Sequence, residues 1–220
     1  GDGLCHNRLS PAGRWQDEPS LGDWWGRAVW ALGTALRAGE DAPEVADRFD
    51  RLAARRSPFV RSMAYAALGA AAAIELRPSA ALLLRDAARV LTGPDVGPRW
   101  PWPEPRLRYD NGVLAQALIA AGVALGRPDL LSKGLDRLEF LVEVQTCGDH
   151  LSVVPVAGRG PGEQPPAYDQ QPIEVASLAG AGAAAHEATG DDRWRQLVGA
   201  AAGLFLGDND QGVAMFDVVT

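Results

Sequence analysis

The stretch NGVLAQALIAAGVALG (Asn111–Gly126) holds no charged residue, whereas SKGLDRLEFLVEV just after it (Ser132–Val144) carries charges throughout. Both have helical spacing, so they describe two different kinds of helix. A helix that is apolar all round is buried on every side, and one with a charged face looks at water. The contrast recurs along the chain. The uncharged runs are SMAYAALGAAAAI (Ser62–Ile74), NGVLAQALIAAGVALG and VASLAGAGAAA (Val175–Ala185). The charged runs between and around them are EVADRFDRLAARR, LLLRDAARV, SKGLDRLEFLVEV and DDRWRQLVG. Turns after the odd helices are minimal, as in Arg77–Ser79 and Gly126–Asp129. Buried and exposed helices in alternation, joined as hairpins, predict an all-α fold: an (α/α) toroid with an inner ring wrapped by an outer one. An α-solenoid also stacks helix pairs, but with a constant repeat. Here the odd helices start near Leu21, Phe59, Asn111 and Gln170, at growing intervals.

Apolar residues at three-to-four spacing place the helices at about Leu21–Ala38, Pro43–Arg55, Phe59–Arg77 and Ser79–Leu91. The remaining four fall at Asn111–Gly126, Asp129–Gln145, Gln170–Thr189 and Asp192–Leu206. Pro43, Pro58, Pro128 and Pro172 sit at or near helix starts, where a missing N–H costs nothing. No strand alternation is evident. At 220 residues the chain suits a single domain over 1–220. The absence of an initiator Met and the abrupt end suggest an excerpt of a longer protein, trimmed at both ends.

Composition excludes several functions. A net charge of −7 argues against nucleic-acid binding, which needs a cationic face for phosphates. No apolar run approaches the roughly 20 residues of a membrane span. Cys5 and Cys147 are far apart, and His6, His150 and His186 show no metal-ligand spacing, so neither metal nor cofactor is expected. Free thiols and the lack of a signal-peptide core fit a cytoplasmic protein.

In a toroid, all even-to-odd loops emerge at one end and feed the inner helices. Those loops are the long ones: Gly1–Trp25, Thr92–Asn111 and Thr146–Gln171. Long loops at one end are how a scaffold presents a site. They hold Trp15, Trp24, Trp25, Trp100 and Trp102, with Tyr109 and Tyr168 each directly before an Asp. Aromatic rings stack on the apolar faces of sugars, while carboxylates, amides and Arg bind hydroxyls. An aromatic rim with these polar groups therefore points to a carbohydrate.

Asp110 and Asp169 occupy matching settings, RYDNG and AYDQQP, and either can cap a helix. Capping alone does not require the shared Tyr-Asp-amide order. Asp23 is explained by a capping box in SLGD (Ser20–Asp23). Glu104 lies in WPWPE, where neighbouring rings favour a raised pKa and general-acid chemistry. Glu174 stands five residues past Asp169, about 140° around a helix, so the two cannot share a face. Gln171 and Glu174 can. A carboxylate in an otherwise uncharged helix is costly to bury without a purpose, which makes Glu174 the sharpest signal in the chain.

The runs HNRLSPAGRWQDEPSLGDWWGRAVWALG (His6–Gly33), RWPWPEPRLRYDNGVLAQALIAAG (Arg99–Gly122) and YDQQPIEVASL (Tyr168–Leu178) resemble a bacterial family of six-hairpin (α/α)6-toroid carbohydrate-active proteins. Its members are often catalogued as glycosyltransferase or glycosyl-hydrolase-like and sit beside, or are fused to, sugar-handling enzymes. The resemblance implies a six-hairpin glycosidase-like fold, with Glu104, Asp110, Asp169 and Glu174 at its acidic positions. A full toroid has twelve helices and about four hairpins are read here, so two would lie outside this chain.

The resulting expectation is a glycoside hydrolase-like enzyme acting on an oligosaccharide. Glu104 or Asp110 would be the acid and Asp169 the base. Trp24, Trp100, Trp102, Tyr109, Asn111, Tyr168, Gln170, Gln171 and Glu174 would bind substrate. Alternatives are a glycan-binding module associated with a glycosyltransferase, and a sugar epimerase or isomerase, which needs a His pair near the ring.

Overall fold

The computed structural model of the chain describes residues 2–39 and 42–216. Among them are eight helices: α1 (Asp23–Arg37), α2 (Pro43–Ala53), α3 (Val60–Ala72), α4 (Pro78–Leu91), α5 (Gly112–Ala124), α6 (Pro128–Val144), α7 (Pro172–Thr189) and α8 (Asp192–Leu206). Most boundaries fall within two residues of the expected ones. Helix α3 is the exception, ending five residues early in a run of turns. The all-α expectation holds, with one addition that hydrophobic alternation could not reveal. A hairpin of β1 (Thr146–Cys147) and β2 (His150–Leu151) pairs Cys147 with His150 and Thr146 with Leu151.

Contacts divide the chain into two compact units. One runs up to Gly93 and includes Ala120–Leu131; the other comprises Pro94–Ile119 and the chain from Ser132 onward. In the first, α3 packs against α1 and α4, and α2 against α1 and α4. Glycine permits the α1–α3 approach. A Cβ on Gly26 would lie 2.3 Å from the Ser62 carbonyl oxygen, and one on Gly69 would lie 2.3 Å from that of Val29. The capping box read at Asp23 does not form. The N-cap is Gly22 without a side-chain bond, and the Asp23 carboxylate instead accepts the Ser62 hydroxyl at 2.7 Å, tying α1 to α3.

In the second unit α7 packs on α8, and α8 on β2. The start of α5 meets α7 backbone to backbone, since a Cβ on Gly112 would lie 2.4 Å from the Ser177 carbonyl. The two long loops of this unit are stitched to each other. Leu107 and Arg159 exchange backbone hydrogen bonds at 2.8 and 3.0 Å, and within the second loop the Val156 amide donates to the Asp169 carbonyl at 3.0 Å.

Burial follows the charge alternation in most helices. Every residue of α3 from Arg61 to Ala70 is buried, while α2 buries only Phe49 and Ala53. Helix α7 departs from it: Glu174, Val175, Leu178, Ala181 and Ala185 are buried, but Ala176 and Ala183 are exposed. An uncharged helix of small residues can leave one side open because each alanine exposes little apolar area.

Candidate functional site

Asp110 and Asp169 are the two described residues other than glycine with positive φ, at 53° and 62°. The matching Tyr-Asp-amide sequences thus adopt matching left-handed turns, ahead of α5 and α7. Asp tolerates this region better than most residues, yet such positions cost on the order of 1–3 kcal/mol and concentrate at functional sites. Capping does not explain the turn ahead of α7, whose N-cap is Gln171 rather than Asp169. Each turn lifts its tyrosine into solvent: Tyr168 is 65% exposed and Tyr109 39%. Asp169 and Gln171 are exposed, whereas Asp110 is buried.

Glu174 ties α7 to the first of these turns. It is 1% exposed, and its carboxylate accepts the Asp110 amide, the Asn111 amide at 3.3 Å and the Asn111 side-chain N–H at 2.9 Å. Asn111 is itself fixed, donating to the Arg108 carbonyl at 3.1 Å and accepting the Arg108 amide at 3.1 Å. The acceptors sit where α5 begins, and a helix N-terminus favours a negative charge. Burial pushes the Glu174 carboxyl up from its usual pKa, opposed by these hydrogen bonds. The side chain expected to face a ligand with Gln171 is instead committed to the backbone of the neighbouring turn. Glu174 and Asn111 hold the site's shape.

A second cluster gathers around Asp210, in the loop after α8. Its carboxylate lies 3.0 Å from His150 Nε2 and accepts the Ser152 hydroxyl at 2.8 Å and the Gln170 amide N–H at 2.7 Å. Burial alone would raise the Asp210 carboxyl, but these three bonds outweigh it and hold it below the usual carboxylate range. The hydrogen bond to Asp210 in turn pushes the His150 pKa up. Gln170 also donates to its own turn at the Ala167 carbonyl (2.8 Å), and Gln211 donates to the Tyr168 hydroxyl at 3.3 Å. The AYDQQ turn is thereby anchored to the Asp210 loop, while Glu174, in the first turn of α7, ties that helix to the RYDNG turn.

Trp100 and Trp102 play a different part from the one expected. Trp102 is fully buried, stacked at 6.3 Å on Phe140 with the Arg137 guanidinium 5.8 Å from its ring centre. Trp100 is 6% exposed, edge-on to Phe140 at 5.1 Å, and its indole donates to the Glu104 carbonyl at 2.9 Å. These rings pin the WPWPE loop and offer almost no face to a sugar. Glu104 is half-buried in that loop. Trp24 belongs to the first unit, where its indole donates to the Cys5 carbonyl at 2.7 Å. A cavity of about 940 Å³ opens in the second unit between α6 and the loops, lined by Phe140, Asp136, Glu143, Arg159 and Glu163. Trp100 is the one expected site residue in its wall.

Ser152 and Asp210 were missed from sequence, and Cys147 and His150 were read there only as isolated residues without metal-ligand spacing. A usable signal existed in LGDNDQG (Leu206–Gly212), where paired Asp residues between glycines mark a tight polar loop. No protein-family model matches the chain, and no curated protein matches it.

Proposed function

We propose that the protein is carbohydrate-active, with a glycoside hydrolase-like site built on the paired Tyr-Asp turns of an (α/α) toroid of helical hairpins. The observation that carries this reading is the shared left-handed conformation of Asp110 and Asp169, each behind a solvent-facing tyrosine. Exposed phenol rings supply stacking surfaces for sugar rings. Asp169, open to solvent, is the candidate base, and Glu104 or Asp110 the candidate acid. Gln171 is free to bind hydroxyls, while Glu174, Asn111 and Gln170 position the turns around it. The substrate is an oligosaccharide, the setting cytoplasmic, and a fused or neighbouring glycosyltransferase its partner.

The test is product release from a broad oligosaccharide panel by the parent chain and by Asp169→Asn. The parent is expected to release product, and the variant to lose at least about 100-fold in rate. No release, with no oligosaccharide raising the melting temperature, would remove the carbohydrate reading. Binding without release would leave the glycan-binding module.

A further inference from the structure

We propose that Cys147, His150 and Asp210 form a binding site for a borderline-soft divalent cation, zinc above all. The inference is independent of the sugar reading. One ligand atom from each of the three residues lies within 4.8 Å of the other two. Tetrahedral zinc with bonds of about 2.0–2.3 Å sets its ligands roughly 3.4–3.6 Å apart. Side-chain movements of about 1 Å therefore close the set.

The hairpin supplies the first two ligands ready-made. Cys147 and His150 are register partners across β1 and β2, and residues directly opposite each other in an antiparallel pair project from the same face. The two residues between them, Gly148 and Asp149, make the tight turn, with Gly148 at φ 62°. The sequence Cys-Gly-Asp-His is thus a short chelating loop held by backbone pairing.

Asp210 is prepared as the third ligand. Its Oδ2 takes the Ser152 hydroxyl and the Gln170 amide N–H at 2.8 and 2.7 Å, which orients Oδ1 toward His150 Nε2, 3.0 Å away. Ligating carboxylates are commonly held by such outer hydrogen bonds. With Nε2 on the metal, His150 Nδ1 would carry the proton and face Asp149 Oδ1, 3.4 Å away, the carboxylate–histidine–metal arrangement. A thiolate and a carboxylate together balance the two positive charges. A thiolate selects zinc over magnesium or calcium. Three protein ligands leave one tetrahedral position for water or an incoming molecule.

The test is titration of the metal-stripped chain with cobalt(II), whose thiolate complex absorbs in the near ultraviolet. One cobalt per chain is expected, with a thiolate band that zinc displaces and excess magnesium does not. The band should vanish in Cys147→Ser and persist in Cys5→Ser. Ser152→Ala should bind about 10–100-fold more weakly, having lost a bond that orients the carboxylate. A wild-type titration without a thiolate band overturns the proposal, whatever the variants do. A band that survives Cys147→Ser, or equal affinity in Asp210→Asn, overturns it too.

Discussion

Glu174 is the residue on which the second unit turns. In sequence it stands out as a carboxylate in an uncharged helix, and that singularity is legible without coordinates. Its partners are not, because the amides it binds lie 63 and 64 positions away in the chain. Removing the carboxylate leaves three buried donors unanswered, each a desolvation loss. Glu174→Ala is therefore expected to lower stability by about 3 kcal/mol near neutral pH, read from chemical denaturation. The pH dependence has a defined sign. Burial raises the Glu174 pKa in the folded state, so the folded chain holds its proton more tightly than the unfolded one. This group's contribution then falls as pH rises above about 4.3, the ordinary glutamate value, toward the raised folded pKa. Glu174→Gln should lack that decline. A wild-type and Gln curve of identical slope would show that Glu174 carries no such linkage.

The elements were the most legible part of the molecule. Proline at helix starts and the switch between charged and uncharged runs located all eight helices, because periodicity is a local property that tertiary contacts seldom erase. The hairpin escaped because two-residue strands are too short to alternate. The tryptophans misled for a related reason: composition marks a loop as aromatic but does not say whether its rings face inward. Trp100 and Trp102 turn in and become the packing of their own loop. Glycine has a clearer reading at this scale. Gly69 lets α3 lie against α1, and an added Cβ would sit 2.3 Å from the Val29 carbonyl oxygen. Gly69→Ala should cost about 2 kcal/mol or more, since the clash outweighs the helix-propensity gain of up to ~1 kcal/mol. Gly199 of α8 faces open space, so Gly199→Ala should stabilise by a few tenths of a kcal/mol to about 1 kcal/mol. Denaturation midpoints that move the same way for both substitutions would contradict the close approach of α1 and α3.

At the scale of the whole molecule, both proposed sites of this acidic chain lie on loops of the second unit. The paired turns were legible as a repeated Tyr-Asp-amide order. The left-handed backbone that makes the pair unusual was not, because Asp tolerates that region without requiring it. The Asp210 cluster depends on a loop that meets the hairpin and the AYDQQ turn only after folding, so no spacing rule could assemble it. The central claim is that the two solvent-facing tyrosines frame a sugar site. Binding of the parent chain and of a Tyr109→Ala/Tyr168→Ala double variant to an immobilised oligosaccharide panel tests it most directly. The account expects binding by the parent to at least one glycan and a loss of about tenfold or more, roughly 1.4 kcal/mol, in the variant. Equal binding by the two proteins, or none by the parent, would contradict it.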